Sequence, residues 1–186
     1  MTRALAALAT LALAAVVSVH PHGRAPKVGA LAVLGTHVRY EASLVAGVLP
    51  RLPAADAGAA VAVHDSAAAQ AAHLGAVLAH DGYPPARAQA VWARLIGNGA
   101  PPPGRVLLYV CSVHTQSDAA ELAATPPGGL AATLGAIELT LLVEGQELAR
   151  QVGGALGAQA AAQQRHALHL LAPLLVPSDR AYALSA

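Results

Sequence analysis

The chain has 186 residues, of which 55% are hydrophobic and 11% are charged, and its formal net charge is +1 at pH 7. This balance excludes an intrinsically disordered chain, which needs low hydrophobicity and high charge. The charges form no basic block, so the sequence predicts no nucleic-acid partner. Cys111 is the single cysteine, which excludes an intrachain disulfide and a cysteine-rich zinc site.

The N-terminus, residues 1–19, has the pattern of a secretory signal peptide. Arg3 supplies a positive charge, an apolar run follows over residues 5–17, and the small residue Ser18 comes next. The run is shorter than the roughly 20 apolar residues of a membrane-spanning helix. We therefore expect a secreted or otherwise extracytoplasmic protein, with residues 20–27 as a linker. An uncleaved membrane anchor is the alternative, and only in that case is a membrane a partner.

The first half of the remaining chain predicts a helical hairpin. The chain contains 48 alanines, and alanine is the strongest helix former. Apolar residues recur at helical spacing over residues 28–49, and Pro50 and Pro53 end this segment. A second helix is predicted over residues 56–81, with Asp56 as its cap. A short turn should therefore join two antiparallel helices.

A long connection follows the first hairpin. It contains a short amphipathic segment at residues 86–96 and a loop rich in Gly and Pro at residues 97–104. Residues 106–113 are apolar and β-branched, but no second strand is evident to pair with them, so we predict a helix there. Residues 119–124 are expected to continue that helix until the Pro-Pro-Gly-Gly run at residues 126–129 breaks it.

The second half of the chain predicts another hairpin. A helix is expected over residues 130–152, two glycines mark a tight turn, and a fourth helix follows over residues 155–175. Residues 177–186 are predicted to be a tail. The predicted fold is all-α: a four-helix bundle over residues 28–176, in which two helical hairpins are joined by one long crossover.

A pattern of polar residues repeats in the two predicted hairpins. In each half, a Glu on the first helix is followed on the second helix by a Gln and, three positions later, a His. Residues three apart share a face of a helix, so the Gln and the His should point together into the bundle, where the Glu can face them. The repeated residues are Glu41, Gln70 and His73 in the first half and Glu138, Gln163 and His166 in the second.

This pattern resembles the ferritin-like superfamily, which has a Glu on helices one and three and Glu-x-x-His on helices two and four. The stretches Gln-Ala-Ala-His and Gln-Gln-Arg-His are similar to its Glu-x-x-His helices. The most similar members are the secreted ferritin-like and desiccation-related groups, which carry signal peptides. The resemblance covers residues 28–81 and 130–175. It implies a ferritin-like bundle whose six repeated residues hold iron or another divalent metal.

The sequence departs from that family where Gln70 and Gln163 replace the Glu of Glu-x-x-His. A carboxylate is anionic and can bridge two ions, whereas a neutral carboxamide is a poor bridge. The replacements leave half the carboxylate charge, so the expected outcome is one mononuclear site or no metal, and a ferroxidase reaction is disfavoured. His37 and Glu41, four positions apart on one helix face, are either further ligands or a surface ion pair.

The sequence therefore favours a secreted ferritin-like helical bundle with a weakened or lost di-metal site, acting as a metal-binding or stress-related protein. The alternative is a non-catalytic helical interaction or structural module without metal. A hemerythrin-like bundle using His37, His64, His73 and His166 lacks the paired-His spacing of that family and ranks last. No catalytic residue is predicted, because nucleophile-elbow, Walker, Rossmann and His-Glu-x-x-His motifs are absent from the sequence.

Overall fold

A computed structural model of the chain describes residues 24–80 and 117–185. The predicted signal peptide at residues 1–19 lies outside these ranges, as do the segments predicted to be helical at residues 86–96 and 106–113. All regular structure within the described residues is helical. The prediction of an all-α protein is therefore confirmed for this part of the chain.

The first hairpin consists of α1, Arg24–Val48, and α2, Ala54–His80. A single 3-10 turn, Leu49–Arg51, joins them. The helix α1 begins inside the predicted linker at residues 20–27, so that part of the linker prediction is wrong. Pro26 lies in the first turn of α1, where the missing N–H of proline costs no intrahelical hydrogen bond.

The second hairpin consists of α3, Pro127–Val152, and α4, Gly154–Leu171, and it is preceded by a helical segment at residues 117–124. Gly153 and Gly154 form the turn with φ angles of 67° and 61°. These angles lie in the left-handed region, which glycine adopts without the steric penalty of a Cβ atom. The tight turn predicted from the two glycines is thus confirmed.

The fourth helix ends earlier than predicted. It stops at Leu171, because Pro173 has no N–H with which to donate the next helical hydrogen bond. The chain continues as a 3-10 turn, Ala172–Leu174. This 3-10 turn keeps Ala172 and Leu174 in the core although α4 has ended.

The C-terminal residues are not a tail, so that prediction is wrong. They form α5, Pro177–Ser185, whose Ala183 is fully buried. Arg180 fastens this helix to the end of α4, since its Nε donates a hydrogen bond to the carbonyl oxygen of Ala172 at 2.9 Å. Its Nη2 donates to the carbonyl oxygen of Leu175 at 3.1 Å.

Each of the four long helices packs against two of the others. α1 lies against α2 and α3, and α4 lies against α3 and α2. Their apolar faces form two clusters, one towards each end of the helices. The first cluster includes Val45, Val48, Leu134, Leu142 and Leu168. The second includes Leu34, Val38, Leu74, Leu148 and Ala160.

Buried polar side chains lie at or next to the boundary between the first and second clusters. Leaving aside one threonine, they are His37, Glu41, Gln70, Glu138, Glu144 and Gln164. A buried polar group destabilises the fold unless it finds a hydrogen bond or a compensating charge. We therefore expect the functional site to lie in this layer of buried polar side chains.

The helix α3 is the one described helix that is long and apolar enough to cross a membrane. Half of its most apolar window is buried inside the folded chain, where α3 contacts α1 and α4. Core helices of proteins that never enter a membrane share this composition, so the property says little about location.

Candidate functional site

The centre of the candidate site is a pair of buried acids, Glu41 on α1 and Glu138 on α3. Their side chains are 1% and 0% exposed. His37, one turn before Glu41, donates a hydrogen bond from Nε2 to the carbonyl oxygen of Leu141 at 2.8 Å. Glu41 and Glu138 also interact with each other electrostatically. Since Glu41 follows His37 in the chain whereas Glu138 precedes Leu141, α1 and α3 run in opposite directions here. We call Glu41 and Glu138 the acid pair.

The electrostatics of the acid pair favour a neutral Glu138. Burial raises the pKa of Glu138 well above its usual range, and the carboxylate of Glu41 raises it further. His37 opposes these effects, and Asp118 adds to them. Two carboxylates in a dry interior cannot both be ionised cheaply, so the pair requires either a proton or a cation.

The carboxylate oxygens of the acid pair lack hydrogen bonds. Among the described residues, neither oxygen of Glu41 and neither oxygen of Glu138 has a hydrogen-bond partner. The Oε1 atom of Glu41 lies 3.2 Å from Nε2 of His37, but that nitrogen already donates to Leu141. The two carboxylates, which interact electrostatically, therefore offer buried acceptor atoms to a positively charged ligand.

Tyr40 lies on the outer side of the acid pair. It is partly buried and packs against the first cluster. Burial raises the pKa of Tyr40, and the charges of Asp118 and Glu138 raise it further. The helical segment at residues 117–124, which carries Asp118, therefore contributes to the electrostatics of both Tyr40 and Glu138.

A second polar group, the amide pair, consists of Gln70 on α2 and Gln164 on α4. Both side chains are at most 2% exposed. Nε2 of Gln164 donates a hydrogen bond to Oε1 of Gln70 at 2.7 Å, and Nε2 of Gln70 donates to the carbonyl oxygen of Ala160 at 3.2 Å. Gly145 of α3 makes room for Gln164, since a Cβ atom at Gly145 would lie 2.6 Å from Oε1 of Gln164.

The acid pair lies on α1 and α3, whereas the amide pair lies on α2 and α4. Gln164 lies against Gly145, and Gly145 is seven residues from Glu138 on α3. Seven residues correspond to about 10 Å along a helix axis. This length along α3 separates the backbone of Gly145, which lies against Gln164, from the backbone of Glu138.

The two histidines of the predicted centre, His73 and His166, are exposed, and the expectation that they point into the bundle is wrong. On α2 the residue that shares the inner face with Gln70 is Leu74, four positions on, which is fully buried. With 3.6 residues per turn, Leu74 is rotated about 40° beyond Gln70, whereas His73 is rotated about 60° to the other side. His73 therefore lies outside the inner face that Gln70 and Leu74 share.

On α4 the inward glutamine is Gln164, not the predicted Gln163. Gln163 is only partly buried, whereas Gln164 is 1% exposed. The buried positions of α4, such as Ala160 and Leu168, lie four residues on either side of Gln164 and fix the inner face. That periodicity was the sequence signal for Gln164, while the Gln-x-x-His spacing pointed one residue too early.

His37 is part of the buried layer rather than of a surface ion pair, being 2% exposed. Its i,i+4 spacing with Glu41 was the sequence signal that placed both side chains on one face. Within residues 24–80 and 117–185, no group of three or more His, Cys, Asp or Glu side chains is arranged to hold a metal ion. A cation at this site therefore depends on the two carboxylates of the acid pair.

Comparison with known proteins finds no family model that matches the chain. No curated protein and no solved structure matches it either.

Proposed function

We propose that this chain is an exported ferritin-like helical bundle in which the acid pair holds one divalent cation in place of a two-metal centre. The observation that carries the proposal is the set of four buried carboxylate oxygens of Glu41 and Glu138 that have no hydrogen bond among the described residues. Buried carboxylates without hydrogen bonds are destabilising, and a cation between them removes both the repulsion and the unmet acceptor sites.

The ferritin-like part of the proposal is supported by the helix arrangement. The acids lie on the first and third of the four long helices, as in that superfamily, and α1 contacts both α2 and α3. The amides at Gln70 and Gln164 occupy the buried polar positions of the second and fourth long helices. The export part rests on the signal-like pattern of residues 1–19.

Oxygen ligands suit hard divalent ions such as Mn²⁺, Mg²⁺ and Fe²⁺ better than softer ions. Glu41 and Glu138 would hold such an ion, and the ion would supply positive charge where the chain provides only acceptors. His37 fixes the spacing of α1 and α3 through its bond to Leu141. A single ion held by two acids lacks the second metal of a ferroxidase, so the proposal is binding rather than iron oxidation.

The test is equilibrium dialysis of chelator-treated protein against Mn²⁺, followed by elemental analysis. We expect one Mn²⁺ per chain in the wild type and its loss in Glu41→Gln and in Glu138→Gln. Glu147→Gln is the matched control, because Glu147 lies on α3 as well but forms a partly exposed ion pair with Arg150 at 3.2 Å. Equal Mn²⁺ content in the wild type and the acid-pair variants would contradict the proposal.

A metal-free structural module is the second candidate, and the raised pKa of Glu138 favours it. In that case a proton, rather than a cation, neutralises the acid pair, and the bundle serves as a rigid scaffold. The dialysis experiment separates the two candidates: a wild-type protein that retains no Mn²⁺, and whose unfolding is unaffected by Mn²⁺ or Mg²⁺, is the scaffold.

A further inference from the structure

We propose that the amide pair, Gln70 and Gln164, determines how many cations the interior accepts, by closing the α2–α4 side of the bundle to metal. The inference rests on the proposed function, in which the acid pair holds one ion. It concerns a different pair of helices, α2 and α4, so it can be tested separately.

A metal site between these amides would have to break the hydrogen bonds of Gln70, although Oε1 of Gln164 accepts no hydrogen bond among the described residues. Oxygen Oε1 of Gln70 already accepts the 2.7 Å hydrogen bond from Gln164, and Nε2 of Gln70 is engaged with the carbonyl oxygen of Ala160. An amide N–H cannot bind a cation, and the pair carries no charge to offset the desolvation of one. Glutamates at the same two positions would supply both charge and ligand oxygens.

The surrounding backbone is fitted to this pair. A Cβ atom at Gly145 would lie 2.6 Å from Oε1 and 2.8 Å from Cδ of Gln164, so a side chain at that position would displace the amide. Glutamate has nearly the shape of glutamine and fits the same space.

The experiment uses the double variant Gln70→Glu/Gln164→Glu in the full chain, with Mn²⁺ as the probe. Equilibrium dialysis and elemental analysis should give one more Mn²⁺ per chain than the wild type. Without metal, the thermal midpoint of the variant should be lower than that of the wild type, and Mn²⁺ should restore it. Gln163→Glu is the matched control, because it adds a carboxylate to α4 outside the amide pair and should add no ion.

If the double variant does not fold, the single variant Gln70→Glu is scored in the same way, because its carboxylate still accepts the hydrogen bond that Nε2 of Gln164 donates. No gain of Mn²⁺ over the wild type, together with a midpoint that Mn²⁺ leaves unchanged, would overturn the inference. The quantity scored is the gain of Mn²⁺ per chain in the variant relative to the wild type. A wild type that binds no Mn²⁺ would refute the proposed function, but the gain in the variant could still be measured.

Discussion

At the scale of single residues, the acid pair sets the chemistry of the interior. Glu41 and Glu138 are almost completely buried, and their oxygens accept no hydrogen bonds in the described part of the chain. Removing the charge from one member should relieve the repulsion without changing the shape of the site, because glutamine has nearly the size of glutamate. The consequences can be measured as a function of pH.

Glu138→Gln should flatten the pH dependence of stability. The folded state raises the pKa of Glu138 above its ordinary value of 4.5. Below pH 4.5 the carboxyl group of Glu138 is protonated in both the folded and the unfolded chain. Above that pH the unfolded chain loses this proton while the folded chain keeps it. The free energy of unfolding therefore falls as the pH rises. Each unit of pKa displacement contributes about 1.4 kcal/mol to this fall.

The measurement is urea unfolding in metal-free buffer at a series of pH values upward from the ordinary glutamate pKa of 4.5, where the linkage begins to act. The wild type should lose stability across this range, and Glu138→Gln should lose clearly less. Glu147→Gln should keep the wild-type slope, since that acid is partly exposed. Identical slopes for all three proteins would refute the interpretation of Glu138.

The sequence identified both acids correctly as inward-facing but misplaced the histidines. Glu41 and Glu138 were recognisable because they interrupt apolar stripes at helical spacing. Whether a His three positions after a Gln also faces inward depends on the rotation of the helix against its neighbours, which packing decides. Here the rotation favours Leu74 over His73 and places His166 in solvent.

At the scale of whole helices, prolines explain most differences between the predicted and observed boundaries. Pro50, which was expected to end a helix, lies in the 3-10 turn directly after α1, two residues beyond Val48. Pro127 and Pro177, by contrast, open α3 and α5, because the first helical position needs no N–H donor. A single sequence does not reveal which role a proline takes, since the choice depends on whether the following face finds a core to pack against.

Close helix packing at glycines gives a prediction at this scale. A Cβ atom at Gly157 of α4 would lie 2.5 Å from the carbonyl oxygen of Ala149 on α3, so Gly157→Ala must push the helices apart. We expect a loss of about 1–3 kcal/mol in the free energy of unfolding. Gly58→Ala on α2 is the matched control: its Cβ atom meets nothing within 4 Å, and it should stabilise by about 0.4–1 kcal/mol.

Denaturant unfolding of the two glycine variants checks this comparison. Opposite signs of the two stability changes are expected. A Gly157→Ala protein at least as stable as Gly58→Ala would show that α3 and α4 are not in contact at Ala149.

At the scale of the whole molecule, the acid pair exists only when the two hairpins are packed together. Glu41 belongs to the first hairpin and Glu138 to the second, and the contact of α1 with α3 brings them into range. An unfolded chain separates the two acids, so it cannot hold a cation between them. A cation that binds the pair must therefore stabilise the entire fold, and not only its surroundings.

Under the proposed function, Mn²⁺ should raise the free energy of unfolding by about 2.7 kcal/mol when its concentration is 100 times the dissociation constant. The slope of that free energy with urea concentration should stay unchanged, because the ion adds no new buried surface to the folded state. In Glu41→Gln the midpoint should not respond to Mn²⁺, whereas Glu147→Gln should respond as the wild type does. If the midpoint of Glu41→Gln still responds to Mn²⁺, the ion binds elsewhere. If the slope changes, Mn²⁺ alters the extent of folding and does not simply occupy a site that the folded hairpins have already formed.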